Sequence, residues 1–171
     1  MTAYGIGVSV GIIVGLVICI FVLKVANTDN NVKTKYDERQ VKVRGDAYRY
    51  GFFGGLITNA VLLGLSLSGI DLHMLGSSLF FIPIAVGVMV QATYCVFKDG
   101  YVGLNTNMPR FIIIMLVISL YNFLVGLRGF REGFLTNGVL RHTFINLICG
   151  ILCLILIVEL AVKYLIDRRE E

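Results

Sequence analysis

One carboxylic acid stands inside a long apolar segment near the end of the chain. Glu159 follows residues 144–158, which include no charged residue. An ionised carboxylate at the bilayer centre costs about 2.5–3.5 kcal/mol on insertion scales, so such an acid is a candidate for proton or cation handling. Lys163 follows one helical turn later, and an ion pair reaching toward the membrane surface would offset much of this cost. We expect Glu159 to pair with Lys163, with proton or cation handling as the alternative.

Each of the last four apolar segments also carries an amide side chain. Such groups either line a polar pathway or bond one helix to another, at about 0.6 kcal/mol per contact. We expect helix-to-helix bonding, whereas a shared pathway would indicate a small transporter or channel subunit. The residues are Asn59, Gln91, Asn122 and Asn146.

The densest charge lies in segment 36–50. Asp37 is a favoured N-cap and Gln40 completes a capping box, so a helix is predicted to begin here and either to lie on the membrane or to continue into the next span. Basic residues beside a span favour contact with a partner or with anionic lipid head groups. The alternative is that these charges are solvated and only set the orientation of the chain in the membrane. The candidate contact residues are Asp37, Glu38, Arg39, Gln40, Lys42, Arg44 and Arg49.

Residue types for catalysis or metal binding do not form a recognisable pattern. All four cysteines fall in apolar segments, so we interpret Cys149 and Cys153, one turn apart, as packing residues rather than metal ligands or a disulfide. The stretch 64–68 lacks the last glycine of GxSxG, and His73 and His142 have no carboxylate at a telling spacing. The sequence predicts no catalytic residue, metal or cofactor, and no enzyme.

Composition places these residues in a membrane protein. The chain has 171 residues, of which 57% are hydrophobic and 15% charged, and its mean hydropathy is +0.82. Apolar runs of about twenty residues predict an all-α bundle of five transmembrane helices in one domain, 1–171, with the lipid bilayer as its surroundings. The basic residues flank the spans, which excludes nucleic-acid binding. The predicted spans are 3–25, 51–70, 76–97, 111–127 and 144–165.

The distribution of Lys and Arg predicts the orientation. Five spans place the termini on opposite sides, and cytoplasmic loops carry the excess of basic residues. One side would hold only Arg128, Arg131 and Arg141, and the other the remaining twelve of the fifteen. We therefore expect the N-terminus outside and the C-terminus inside.

The first span carries a stripe of small side chains at every fourth residue, which forms two overlapping GxxxG units. Because lipid gives helices no hydrophobic drive to associate, such a stripe favours close helix packing. The partner helix could belong to this chain, to a second copy in a homo-oligomer or to another membrane protein. The residues are Ala3, Gly7, Gly11, Gly15 and Cys19.

Two stretches carry a resemblance to a known group of proteins. The run Tyr-Asp-Glu-Arg-Gln at 36–40, followed by Arg44-Gly45 and by Phe52-Phe53 at the start of a span, resembles a signature of small polytopic membrane proteins of Firmicutes-type bacteria. Residues 98–105, KDGYVGLN, resemble the loop after their third span, with Gly100 where those proteins have Ala. The resemblance implies a multi-pass protein of the bacterial cytoplasmic (inner) membrane and assigns no activity.

Overall fold

The computed structural model describes residues 3–170, apart from the side chains of residues 3–6, 8, 9, 12 and 170. Within this part, four helices are long and apolar enough to span a membrane, and the described apolar part of the first helix, Ile13–Ala26, is shorter. The all-α character is confirmed, and the described residues add a two-strand hairpin and an isolated β-bridge between Asn27 and Thr106. The elements are α1 Ala3–Ala26, α2 Glu38–Leu67, a 3₁₀ turn His73–Leu75, α3 Ser78–Phe97, α4 Met108–Glu132, β1 Leu135–Thr136, β2 Val139–Leu140 and α5 His142–Glu170.

Segment 36–50 continues into the span that follows it. The capping box is confirmed, because Asp37 Oδ1 accepts from the Gln40 backbone N–H at 2.6 Å and Gln40 Oε1 accepts from the Asp37 N–H at 3.3 Å. From there α2 runs unbroken for 30 residues, or about 45 Å. The charged segment is thus the first turns of a spanning-length helix, so it moves with that helix.

Glycine determines how closely α2 approaches α3. A Cβ added at Gly51 would lie 2.7 Å from the Gly87 carbonyl oxygen, and one at Gly87 would lie 2.8 Å from that of Gly51. The two backbones are therefore in contact, as small residues permit between membrane helices. A similar approach joins α4 to α5, where the buried Ser119 hydroxyl donates to the Gly150 carbonyl at 3.0 Å.

The stripe on α1 is arranged differently. An added Cβ at Gly7, Gly11 or Gly15 would meet no described atom within 4 Å, and Cys19 is exposed. The Ala3 side chain lies outside the described part of the chain. Close glycine packing is thus found between α2 and α3, while the partner of the α1 stripe stays a prediction.

Candidate functional site

Two connecting segments are joined by hydrogen bonds at the end of the bundle where α2 and α4 begin. The Thr28 N–H donates to Asn105 O at 2.7 Å, and the Leu104 N–H donates to Lys35 O at 2.9 Å. We call these segments, 27–37 and 98–107, the polar cap. The cap includes residues 98–105, the second of the two stretches described in the sequence analysis, and only Tyr36 and Asp37 of the first.

Among the described residues, Asn105 makes the largest number of side-chain hydrogen bonds between the two segments, three in all. Its side chain is buried, accepts from the Lys35 N–H at 2.7 Å, and donates to Asp29 Oδ1 at 3.0 Å and to Lys33 O at 3.2 Å. Hydrogen bonding from Lys35, whose ammonium lies 3.0 Å from Asp29 Oδ2, holds the pKa of Asp29 well below its usual range. Asn105 thus fixes the 27–37 segment by satisfying its backbone.

Gln40 connects the cap to α2. The residue is only 8% exposed. Its side-chain Nε2 donates to Asp99 O at 2.9 Å and to Val102 O at 3.0 Å. Gly100 follows from the same approach, since an added Cβ there would lie 2.6 Å from Val43 Cγ1. Gln40, a predicted partner contact, is occupied by its own chain.

Asp99 ties α2 and α5 to the cap. Its carboxylate lies 3.0 Å from Arg39 Nη2 and 3.0 Å from Lys163 Nζ, and Lys163 also bonds Asp167. Burial raises the pKa of Asp99, but hydrogen bonds from Lys163 and Arg39 outweigh it and leave the pKa lowered. The expected Glu159–Lys163 pair is therefore wrong, because Lys163 turns to these two aspartates. The sequence analysis missed Asp99; its signal was the resembling stretch 98–105.

A cavity of about 290 Å³ lies beneath the cap and is bordered by α1, α2, α3 and α4. Arg44 lines it, with its guanidinium carbon 4.2 Å from the centre of the Tyr36 ring. We call this cavity the Arg44 pocket. Its other lining residues are polar toward the cap, with Thr34, Asn27 and Thr106, and mostly apolar elsewhere, with Leu23, Ala26, Val88, Ala92, Val102 and Phe111 among others.

Among the described residues that line the pocket, Arg44 is the only charged one. Its guanidinium donates to Gly100 O and to the Tyr48 hydroxyl, each at the long distance of 3.4 Å, and no described carboxylate lies within 4 Å of it. Burial raises the pKa of Tyr101, another lining residue, to about 12, so it stays a neutral hydrogen-bonding group. An uncompensated guanidinium among hydroxyl and amide groups is suited to binding an anion.

The other predicted contact residues lie on the outer surface of α2. Glu38 and Lys42 are exposed, with no ion pair to any described residue, and Arg49 lies 3.8 Å from Asp46 in an exposed pair. The predicted set therefore divides into residues that bind the cap, such as Arg39 and Gln40, a pocket residue, Arg44, and exposed charges.

The intramembrane polar residues do not converge on one site. Glu159 Oε1 accepts from the Thr93 hydroxyl at 2.8 Å, while its Oε2 is buried with no described partner. Asn122 and Asn146 each donate to the carbonyl four residues earlier on their own helix. Asn59 and Gln91 line a second cavity, between α2 and α3, and Glu159 does not. The bonding between helices that was expected of the four amides is absent at Asn122 and Asn146, which bond their own helices. Glu159, for which a different partner was expected, bonds Thr93 of α3.

Comparison of the chain with protein-family models, with curated proteins and with solved structures finds no match. Function is therefore argued from the site alone.

Proposed function

We propose that this chain is a non-enzymatic protein of the bacterial cytoplasmic membrane that binds an anionic group through the first turns of α2, with Arg44 as the contact residue. The observation that carries the proposal is the Arg44 pocket, in which a single guanidinium is the only charge. In this proposal the chain crosses the membrane five times with its N-terminus outside. The distribution of Lys and Arg then places the polar cap on the cytoplasmic side.

The surroundings of Arg44 favour an anion over other ligands. In the Asp99 cluster the cations Arg39 and Lys163 already face carboxylates, whereas Arg44 faces none. A volume of about 290 Å³ is at the lower end for small-molecule pockets and suits a head group rather than a large cofactor. Exposed Lys33, Lys42 and Lys98 surround the cap and would raise the local concentration of anions.

A protein partner is less well supported than an anionic head group. Arg39 and Gln40 bond within the chain and are not available to a partner without opening the cap. What remains on the α2 surface is Glu38, Lys42 and Arg49, which is a small and mixed set of charges. Anionic lipid is therefore the form of contact that we propose for the segment 37–49.

Native mass spectrometry of the full chain tests the proposal. The protein is purified from membranes and exchanged with phosphatidylglycerol or phosphatidylcholine, and retained lipid is counted. We expect R44Q to lose phosphatidylglycerol and K42Q, an equal charge change at an exposed site, to keep it. R44K should retain an intermediate amount, because an ammonium keeps the charge without the planar fork. Equal retention by wild type, R44Q and K42Q would refute the Arg44 site.

A second candidate function is supported by Glu159. A buried carboxylate oxygen without a described partner is costly in a membrane and is typical of proton or cation pathways. Under this hypothesis the chain is a small transporter or channel subunit, and E159Q would abolish proton or cation flux in proteoliposomes. The own-helix bonds of Asn122 and Asn146 count against it. Absence of flux with the wild-type chain would remove this hypothesis.

A further inference from the structure

The Arg44 pocket continues into a groove between α2 and α3. Val88 and Gln91 line both the pocket and the second cavity, which has a volume of about 330 Å³. From Gln91 the second cavity extends along α3 to Pro83, eight residues away, which corresponds to about 12 Å. We call the second cavity the tail groove. Because the two cavities share a wall, one elongated molecule can occupy both.

The tail groove runs along the line where glycines bring α2 and α3 together. Its lining includes Gly51, Gly55 and Gly87, at which an added Cβ would lie 2.7–3.1 Å from the backbone of the facing helix. Its rim includes Phe52 and Ile84, which are 66% and 63% exposed. The exposed rim belongs to apolar parts of α2 and α3, the parts that have spanning composition. The groove therefore faces the bilayer, while the Arg44 end meets the polar cap.

Resting on the proposed function, we propose that the occupant of the Arg44 pocket is an anionic phospholipid, with its phosphate at Arg44 and one acyl chain in the tail groove. The charge of Arg44 complements the phosphate, and the apolar walls match the chain. Gln91 stands where head group and chain meet, and its amide makes no hydrogen bond to another described residue. An ester oxygen of a lipid is an acceptor suited to that position.

The change from a charged Arg44 pocket to a mostly apolar tail groove favours a phospholipid over a free anion. A soluble phosphate would need only the Arg44 end, and the tail groove would contribute nothing to its binding. Asn59 is the other amide of the groove, and it is exposed, so it can turn to a carbonyl of its own helix as Asn122 and Asn146 do. A bilayer lipid can enter from the side without leaving the membrane.

The experiment uses groove-filling variants of the full chain in detergent, with long-chain and short-chain phosphatidylglycerol as probes and inorganic phosphate as competitor. I84F places a larger side chain on the rim of the tail groove only, and V88F places one at the junction. V117F is the matched control, because Val117 is equally exposed and lines neither cavity. Both groove variants should lower retention of the long-chain lipid by about tenfold. I84F should leave the short-chain lipid unchanged, and inorganic phosphate should not compete.

The outcomes separate the two proposals. If R44Q loses lipid while I84F and V88F behave like V117F, the head-group site stands and the tail groove is refuted. Full competition by inorganic phosphate would identify a soluble anion as the occupant and also refute the groove. Retention that no variant changes would refute the Arg44 site itself. Monodisperse elution of each variant and protection of the buried Cys95 thiol verify folding.

Discussion

The polar cap depends on one buried amide, which makes Gln40→Leu a sharp test. Leucine has a similar size but no donor, so Asp99 O and Val102 O lose hydrogen bonds of 2.9 and 3.0 Å, and the longer bond of 3.3 Å from the Asp37 N–H is also lost. A net hydrogen bond contributes about 0.5–1.5 kcal/mol, and a buried group left unpaired costs about 1–3 kcal/mol. Since the loop can relax toward water, we expect a loss of about 2–4 kcal/mol in the free energy that holds the cap closed.

Cys95 provides the assay. It is 2% exposed and lines the Arg44 pocket beneath the cap. A charged thiol reagent that cannot enter from the lipid side therefore reaches it when the cap opens. The variant is made in a chain whose other cysteines, Cys19, Cys149 and Cys153, are replaced by alanine. A loss of 2–4 kcal/mol raises the open population, and hence the labelling rate, by about 30- to 900-fold.

Two further variants calibrate this measurement. Q40E keeps the shape of the side chain but replaces the donor by an acceptor, so it should label as fast as Q40L. E38Q changes an exposed neighbour in the same turn and should label at the wild-type rate. A Q40L rate within twofold of wild type would refute the inference that the Gln40 bonds hold the cap.

Three other predictions follow from named contacts. The lowered pKa of Asp99 means that its contribution to stability is present above its unfolded pKa and is lost as pH falls through the folded one. The Cys95 labelling rate, divided at each pH by the rate of a free thiol because only the thiolate reacts, should therefore rise in acid, modestly because the Asp99 side chain is 46% exposed. D99N should have a higher normalised rate at neutral pH, with less pH dependence. G51A should separate α2 from α3, which lowers the free energy of unfolding by about 1–3 kcal/mol and lowers the melting temperature. G45A has open space around the added methyl group, so the higher helix propensity of alanine should raise the melting temperature. S119A should lower the free energy of unfolding by about 0.6 kcal/mol, measured by thermal unfolding, with S68A, which removes an exposed hydroxyl at the end of α2, as the control.

Local patterns predicted the start of α2 well. Asp37 and Gln40 are three residues apart, so the capping box depends on a single turn of backbone that either residue can reach. The remaining bonds of Gln40 could not be predicted in this way, because their acceptors lie about sixty residues away in the 98–107 segment. A short stretch of sequence determines a helix N-terminus, whereas the tertiary contacts of that helix depend on residues far away in the chain.

The prediction for Glu159 failed for the same reason. A glutamate and a lysine one turn apart are suited to pairing, but Lys163 has a second acid, Asp167, one turn later and a third, Asp99, from the polar cap. Both competitors lie nearer the end of the helix, where water helps to solvate the charges. The α1 stripe is similar, since regular small residues indicate a capacity for close packing but do not specify which helix supplies the partner.

The polar cap and the Arg44 pocket are structurally coupled, because the residues that close the cap also orient Arg44. Tyr36 supplies the ring on which the guanidinium stacks, and Gly100, held against α2 by the Gln40 bonds to its neighbours, supplies a carbonyl that Arg44 donates to. Opening the cap would free the guanidinium to turn toward water, so an anion would then pay the entropy of ordering it. Q40L should therefore weaken phosphatidylglycerol retention although Gln40 does not line the Arg44 pocket. Retention unchanged in a Q40L chain whose Cys95 labels rapidly would separate the cap from the site and show that Arg44 binds without it.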